Sequence, residues 1–241
     1  MDINTYKEKF LNYLHQSHLA DEPDNLYQPI NYIMNLGGKR MRPMLVQMSC
    51  DLFDGNVEDA MEAALCVEMF HNFTLIHDDI MDGAELRRSQ PTVHSRWDVN
   101  TGILSGDALM ILAYRRLETY SGDVFKSLMR IFNKTALEVC EGQQLDMDFE
   151  NMDEVSLPVY MKMIAFKTAV LVACSLQMGA IIAHAKTADQ DQVYQFGMNL
   201  GLAFQLQDDY LDSFGTAAFG KKIGGDILES KKTFLYIKTL Q

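Results

Sequence analysis

Asp78, Asp79 and Asp82 stand together in the run His77-Asp78-Asp79-Ile80-Met81-Asp82, which closes a long apolar-periodic stretch that Gly83 breaks. On a helix, Asp78 and Asp82 lie one turn apart on the same face, where like charges repel. A bound cation reverses the sign of that interaction. A hard, oxygen-seeking ion such as Mg²⁺ typically takes one or two carboxylates together with water and phosphate oxygens. Five residues beyond the cluster come Arg87 and Arg88, whose planar guanidinium forks suit phosphate. Carboxylates for a metal, then arginines for phosphate, point to a metal–diphosphate site.

A lone DDxxD is equally well a solvated acidic helix end, and motif matches of this size are common. An EF-hand fails on spacing, because counting from Asp78 puts Ile80 at the third ligand position and Ser89 where a Glu belongs. His77-Asp78 could open the HD pair of a metal phosphohydrolase, a two-letter match. The weight comes from a repeat far along the chain. Asp208-Asp209-Tyr210-Leu211-Asp212 has the same spacing and again closes an apolar-periodic run, GMNLGLAFQLQDDYLD. The phosphohydrolase reading leaves this second cluster and the arginine pair unexplained.

The elements that must position these residues are helical. No sustained strand-type alternation occurs. Helices are expected near 4–15, 26–36, 43–53, 56–82, 103–120, 123–149, 157–185 and 188–214, with a short one from about 231. Gly37-Gly38 suits a helix stop, Pro43 a first helical turn, Asn56 an N-cap, and 83–94 a polar loop. Two long helices that each end in DDxxD suggest facing halves of one bundle, so the expected fold is all-α, with 1–241 as one domain. At 48% hydrophobic and 22% charged residues the composition is that of a globular chain. The net charge of −12 argues against nucleic acid or an anionic membrane as partner. The four cysteines are scattered through apolar patterns without CxxC, as small core residues in a reducing, cytoplasmic compartment. The apolar stretch 163–183 is interrupted by Lys167 and reads as a buried helix, since a spanning helix needs about 20 apolar residues.

Taken together, GGKRMRP at 37–43, LIHDDIMDGAELRR at 75–88, Lys167-Thr168, FQLQDDYLD at 204–212 and KIGGDILESK at 222–231 resemble the all-trans polyprenyl diphosphate synthases, the family of farnesyl and geranylgeranyl diphosphate synthases. The resemblance implies an isoprenoid-synthase-type helical bundle whose two DDxxD clusters face a central cavity. It implies head-to-tail prenyl transfer: an allylic diphosphate loses diphosphate, and the cation alkylates the double bond of isopentenyl diphosphate before a proton is lost. It further implies Mg²⁺, three ions in all, with Asp78 and Asp82 holding two and Asp208 with Asp212 helping to hold the third. Asp79 and Asp209 would support these ligands. Arg87, Lys167 and Lys222 resemble the allylic diphosphate clamp. Thr168 and Gln205 would line the path of the cation, and Asp226 and Lys231 fall in the segment that closes the second cluster. Lys39, Arg42, Arg88 and His71 would hold isopentenyl diphosphate. His77 would lie behind the ligands.

A lysine inside IAFKTAVLVACSLQMGAIIA needs a buried anion, which an Asp of the core could supply as well as a substrate. His71 by itself could be an ordinary core histidine. Phe73 lies five residues before Asp78, about 7.5 Å deeper along the helix. An aromatic there resembles the floor that stops chain growth, and Thr74 beside it is smaller than the aromatic of some farnesyl synthases. Products of C15–C20 are expected, a long-chain synthase being the alternative. A homodimer is the family expectation. Family chains continue through further helices, whereas this sequence ends at Gln241 inside a helical pattern, so the domain is expected to lack them. Terpene cyclases and head-to-head synthases share the aspartates without the GGKRxRP set. A non-catalytic helical partner subunit would be expected to have lost an aspartate cluster, and both are present.

Overall fold

A computed structural model describes residues 1–17, 22–215 and 231–239. Contacts divide the chain into two compact units, Met1–Leu128 with Met178–Ala185, and Met129–Gln177 with Lys186–Gln241.

The first unit is built around one helix. α1 (Ile3–Gln16), α2 (Asp24–Asn35) and α3 (Met41–Leu52) precede a 3₁₀ turn, Val57–Ala60, that runs directly into α4 (Met61–Met81). Asp2 caps α1 by accepting a hydrogen bond from the Thr5 amide at 2.8 Å, and Asn56 caps the 3₁₀ turn through the Glu58 amide at 3.3 Å. Between α2 and α3 the backbone is left-handed at Gly37, Gly38 and Arg40, so the two glycines end one helix and Arg40 opens the next. α4 is buried on nearly all sides, which is why its apolar residues do not form a stripe but surround the helix. It packs against α3 and against α6 (Val99–Leu117).

The 83–94 loop contains a two-residue antiparallel ladder, β1 (Leu86–Arg87) with β2 (Gln90–Pro91), turned through Arg88 and Ser89. Both turn residues have positive φ, 52° and 61°, as a tight primed hairpin turn requires. Arg-Ser carries none of the Asn-Gly chemistry that announces such a turn in sequence. A four-residue helix, α5 (Val93–Arg96), links the ladder to α6.

The second unit takes in most of α7 (Gly122–Glu150), then α8 (Leu157–Ile164), part of α9 (Val170–Ile182), α10 (Thr187–Phe214) and α11 (Phe234–Thr239). Where an uninterrupted helix is expected over 157–185, residues Ala165–Ala169 form a π turn between α8 and α9. Such single-turn bulges often mark functional positions, and this one carries Lys167 and Thr168. Two glycines let neighbouring helices press on it: a Cβ at Gly142 of α7 would collide with the Lys167 backbone, and one at Gly201 of α10 would lie 2.5 Å from Ala169 Cα. Phe149, Tyr160, Met163, Ile164 and Ile237 form a buried cluster, against which Leu202, Leu206 and Phe234 pack. Leu157–Ile182 is long and apolar enough to cross a membrane by length and composition, and 72% of its most apolar window is buried within the protein, the burial expected of a core helix.

Candidate active site

In the first unit, α4 delivers the aspartates at its C-terminus. Asp82 caps the helix, its amide donating to the Asp78 carbonyl at 2.8 Å. Asp78 is half-buried and Asp82 exposed, whereas Asp79 between them is 2% exposed. The buried carboxylate is gripped by Arg87, whose Nε donates to both oxygens at 2.8 and 2.9 Å and whose second nitrogen donates to Oδ1 at 2.7 Å. Burial raises the Asp79 pKa, with Arg87 opposing the shift. The short hairpin therefore has a local reason to exist: β1 carries Arg87 back over the helix end. Arg87, expected in a diphosphate clamp, is occupied by Asp79.

A basic group lies where α3 begins. Arg40 is buried and paired with Glu68 of α4, with a second bond to the Met34 carbonyl. Arg42 donates to His71 Nε2 at 3.1 Å. Because arginine can only donate, that nitrogen is the acceptor and the His71 proton sits on Nδ1. Burial, then the Arg42 charge, hold the His71 pKa well below 6.5, and burial lowers that of Arg42 to about 10. Arg42 Nε is a buried donor with no protein partner among the described residues. Arg88 is exposed and bends over the glycine pair, donating to the Gly37 carbonyl. Lys39 is also exposed. Helix N-terminal amides and several guanidinium groups at one place suit an anion.

The π turn and α10 build the second unit's site. Asp209 is buried and accepts from the Tyr160 hydroxyl, from Gln205 Nε2 at 3.0 Å and from the Phe234 amide at 3.3 Å. Thr168 Oγ1 donates to Gln205 Oε1 at 3.0 Å. Thr168, Gln205, Asp209 and Tyr160 are thus one hydrogen-bonded chain. Asp208 is half-buried and Asp212 is 7% exposed. Lys167 Nζ lies 2.5 Å from Asp146 Oδ2 of α7, so the anion its position demands is supplied by the protein. Lys231 is half-buried, while Lys222 and Asp226 lie outside the described residues. Sequence reasoning did not single out Asp146, Tyr160 or Glu68. The spacing Gly142…Asp146 on one helix face was the available signal for the first, and nothing local pointed to the other two.

Each cluster presents hard oxygen donors at a helix end, the chemistry Mg²⁺ prefers. Among the described residues, no group of three or more His, Cys, Asp or Glu side chains is arranged to hold a metal ion. Among the described residues, neither cluster is by itself a closed cage.

A family model described as polyprenyl synthetase matches residues 23–241. The chain belongs to the polyprenyl synthetase family. It is 43% identical over 214 residues to the geranylgeranyl diphosphate synthase of Saccharolobus solfataricus, covering 87% of this chain and 64% of the relative. To the geranylgeranyl diphosphate synthase of Methanosarcina mazei it is 37% identical over 222 residues, covering 91% and 68%. The chain thus spans about two thirds of the length of these curated relatives. A crystal structure of geranylgeranyl pyrophosphate synthase superposes with a TM-score of 0.97 at 56% identity, covering 100% of this chain and 74% of that one. The polyprenyl synthase of Caulobacter crescentus, solved with calcium and isoprenyl diphosphate, matches at TM-score 0.84 and 29% identity, covering 99% and 71%. Polyprenyl synthetases are prenyltransferases of isoprenoid biosynthesis, and this family carries the isoprenoid-synthase helical fold expected above.

Proposed function

We propose that the protein condenses an allylic diphosphate with isopentenyl diphosphate, head to tail, into a short-chain trans-polyprenyl diphosphate. The observation that carries this reading is the paired construction of the aspartate clusters in a polyprenyl synthetase. In each, the middle carboxylate is buried on internal partners, and the first stands at a half-buried helix end. Asp78, Asp82, Asp208 and Asp212 would hold Mg²⁺ against a diphosphate; when bound, the ions would supply fixed positive charge to the departing group.

The remaining roles belong to the chain's own groups. Lys39, Arg42, Arg88 and neutral His71 would fix isopentenyl diphosphate without ionising it, and the unused buried donor on Arg42 supports that reading. Lys167 would exchange Asp146 for the allylic diphosphate, with Lys222 and Lys231 assisting and Arg87 acting through Asp79. Thr168 and Gln205 would present oriented dipoles along the path of the cation. Phe73, 8% exposed, with Thr74, whose hydroxyl donates to the His71 carbonyl at 2.8 Å, would set tail length. Pairing with a second copy is supported by Val99, Ile103, Leu104 and Ile111, which leave an apolar strip of α6 exposed; four free cysteines support a cytoplasmic location.

The test is incubation with Mg²⁺, labelled isopentenyl diphosphate and each allylic diphosphate in turn, followed by chromatography of the dephosphorylated products. Short-chain polyprenols are expected; release of inorganic phosphate without a longer prenol would overturn the proposal. Within it, Lys39→Ala or Arg88→Ala should raise the KM for isopentenyl diphosphate, while Lys167→Ala should lower kcat. One shared kinetic signature for both classes would break the assignment.

A further inference from the structure

α6 carries a Gly102-x-x-x-Gly106 pair, both members buried. The two glycines are notches for the metal-cluster end of α4. A Cβ on Gly102 would lie 2.9 Å from Ile80 Cδ1, and one on Gly106 would collide with His77 Nε2 and Cδ2. Neither glycine has a positive φ, so close approach and not backbone conformation calls for the missing side chain here. His77 and Ile80 flank Asp78 and Asp79, so α6 grips α4 at the turn that presents the aspartates.

The His77 ring is held on two sides. Its Nε2 lies 3.2 Å from the Ile103 carbonyl of α6; a carbonyl only accepts, so the proton is on Nε2. Asp107 Oδ1 stands 3.8 Å from the same nitrogen. One turn down α4, the ring meets Phe73 edge to face, with centroids 4.8 Å apart and planes at 68°. Phe73 in turn leans on Phe70 at 5.4 Å. The contacts run without a gap from the Gly106 notch through the imidazole to the phenyl ring.

We infer that His77 and Gly106 set product length together with Phe73: the imidazole is a brace, seated in the Gly106 notch, that fixes the Phe73 ring across the path of the growing tail. His77 is a positioning residue, since it acts through Phe73. This inference rests on the proposed function, in which the tail runs down α4 past Phe73. Without the brace the phenyl ring can swing into the space the imidazole vacates, and a longer tail passes. With a methyl in the notch the imidazole is forced toward Phe73, and the passage shortens.

Binding of a homologous series reads this without turnover. Farnesyl-, geranylgeranyl- and geranylfarnesyl-length thiolodiphosphates are titrated with Mg²⁺ into wild type, Phe73→Ala, His77→Ala and Gly106→Ala by calorimetry, and products are sized by chromatography. His77→Ala should improve binding of the longest tail relative to the shortest by roughly tenfold, the discrimination a methylene or more of tunnel space brings, with product length moving up in step. Gly106→Ala should move the preference toward the shortest tail. The double variant Phe73→Ala/His77→Ala should prefer no longer a tail than Phe73→Ala, because the brace acts only through the ring. His77→Asn retains a donor for the Ile103 carbonyl and loses the ring, and must lengthen the preference as His77→Ala does if that variant folds poorly. Lengthening in Phe73→Ala together with wild-type preference in a folded His77→Asn would overturn the brace and leave the ruler standing. Wild-type preference in Phe73→Ala would overturn both, and loss of Mg²⁺-dependent binding for the entire series in wild type would overturn the proposed function itself.

Discussion

Asp79 and Asp209 occupy the same place in two clusters of identical spacing, and both are buried, but different chemistry holds them there. Asp79 faces a formal positive charge, the Arg87 fork brought back by a two-residue hairpin. Among the described residues, Asp209 faces neutral donors: a tyrosine hydroxyl, a glutamine amide and the first backbone amide of α11. An ion pair and a ring of neutral hydrogen bonds can both orient a carboxylate, yet they fail differently. Removing one partner of the pair leaves an uncompensated charge out of water, whereas removing one of several neutral donors leaves the rest in place. The difference extends outward. Asp82 stands exposed beyond its helix end, whereas Asp212 is buried, so the last carboxylate of the first cluster is the more open to solvent.

Mutating the outer carboxylates should give the largest effect and the one most alike in the two clusters. Asp78→Ala and Asp208→Ala are each expected to reduce kcat on the order of a hundredfold or more, with thermal stability hardly changed, because removing one of two like charges one turn apart relieves repulsion. Equal loss of melting temperature and turnover would make the clusters structural. Next in size is Arg87→Leu, expected to cost about 3 kcal/mol of stability, the low end for breaking a buried pair because Arg87 is itself partly exposed. Adding Asp79→Asn should recover a large part of that loss, since no buried charge is then left alone; absence of recovery in a denaturant titration would show that charge compensation is not what Arg87 does. Smallest is Tyr160→Phe, expected to cost about 1–2 kcal/mol, and turnover should fall with it because Asp209 orients its neighbours. A Tyr160→Phe penalty as large as that of Arg87→Leu would erase the distinction between the two clusters.

Most of the helices, and the aspartates of the two DDxxD clusters, were legible in the sequence, because apolar periodicity and the doubled DDxxD are local signals. The partners of the middle aspartates were not. Tyr160 lies 49 residues from Asp209, and the same holds away from the clusters, where Arg40 lies 28 residues from Glu68; such pairings exist only once helices are packed, and no residue spacing encodes them. The π turn at Ala165–Ala169 was invisible for the same reason. IAFKTAVL fits a continuous helix locally, and the bulge is seen only with Gly142 and Gly201 pressed against it. Lys167 was legible in part. Its burial demanded an anion, and Asp146 is that anion here, the plainer of the two expected partners. The hairpin that carries Arg87 was missed because its turn uses Arg88 and Ser89 at positive φ, positions where sequence signals favour glycine and asparagine.

The most direct test of the central claim, that the aspartate clusters hold Mg²⁺ only together with a diphosphate, is a calorimetric titration of the wild-type protein with Mg²⁺, without and with an allylic thiolodiphosphate or a bisphosphonate. Carboxylates at open helix ends should bind Mg²⁺ weakly alone, because the ion retains its water until phosphate oxygens replace it. Cooperative binding of several ions that appears only with the diphosphate is the predicted result, and it should be lost in Asp78→Ala and in Asp208→Ala alike. Tight binding of a single Mg²⁺ in the absence of any diphosphate, unaffected by either substitution, would contradict the account.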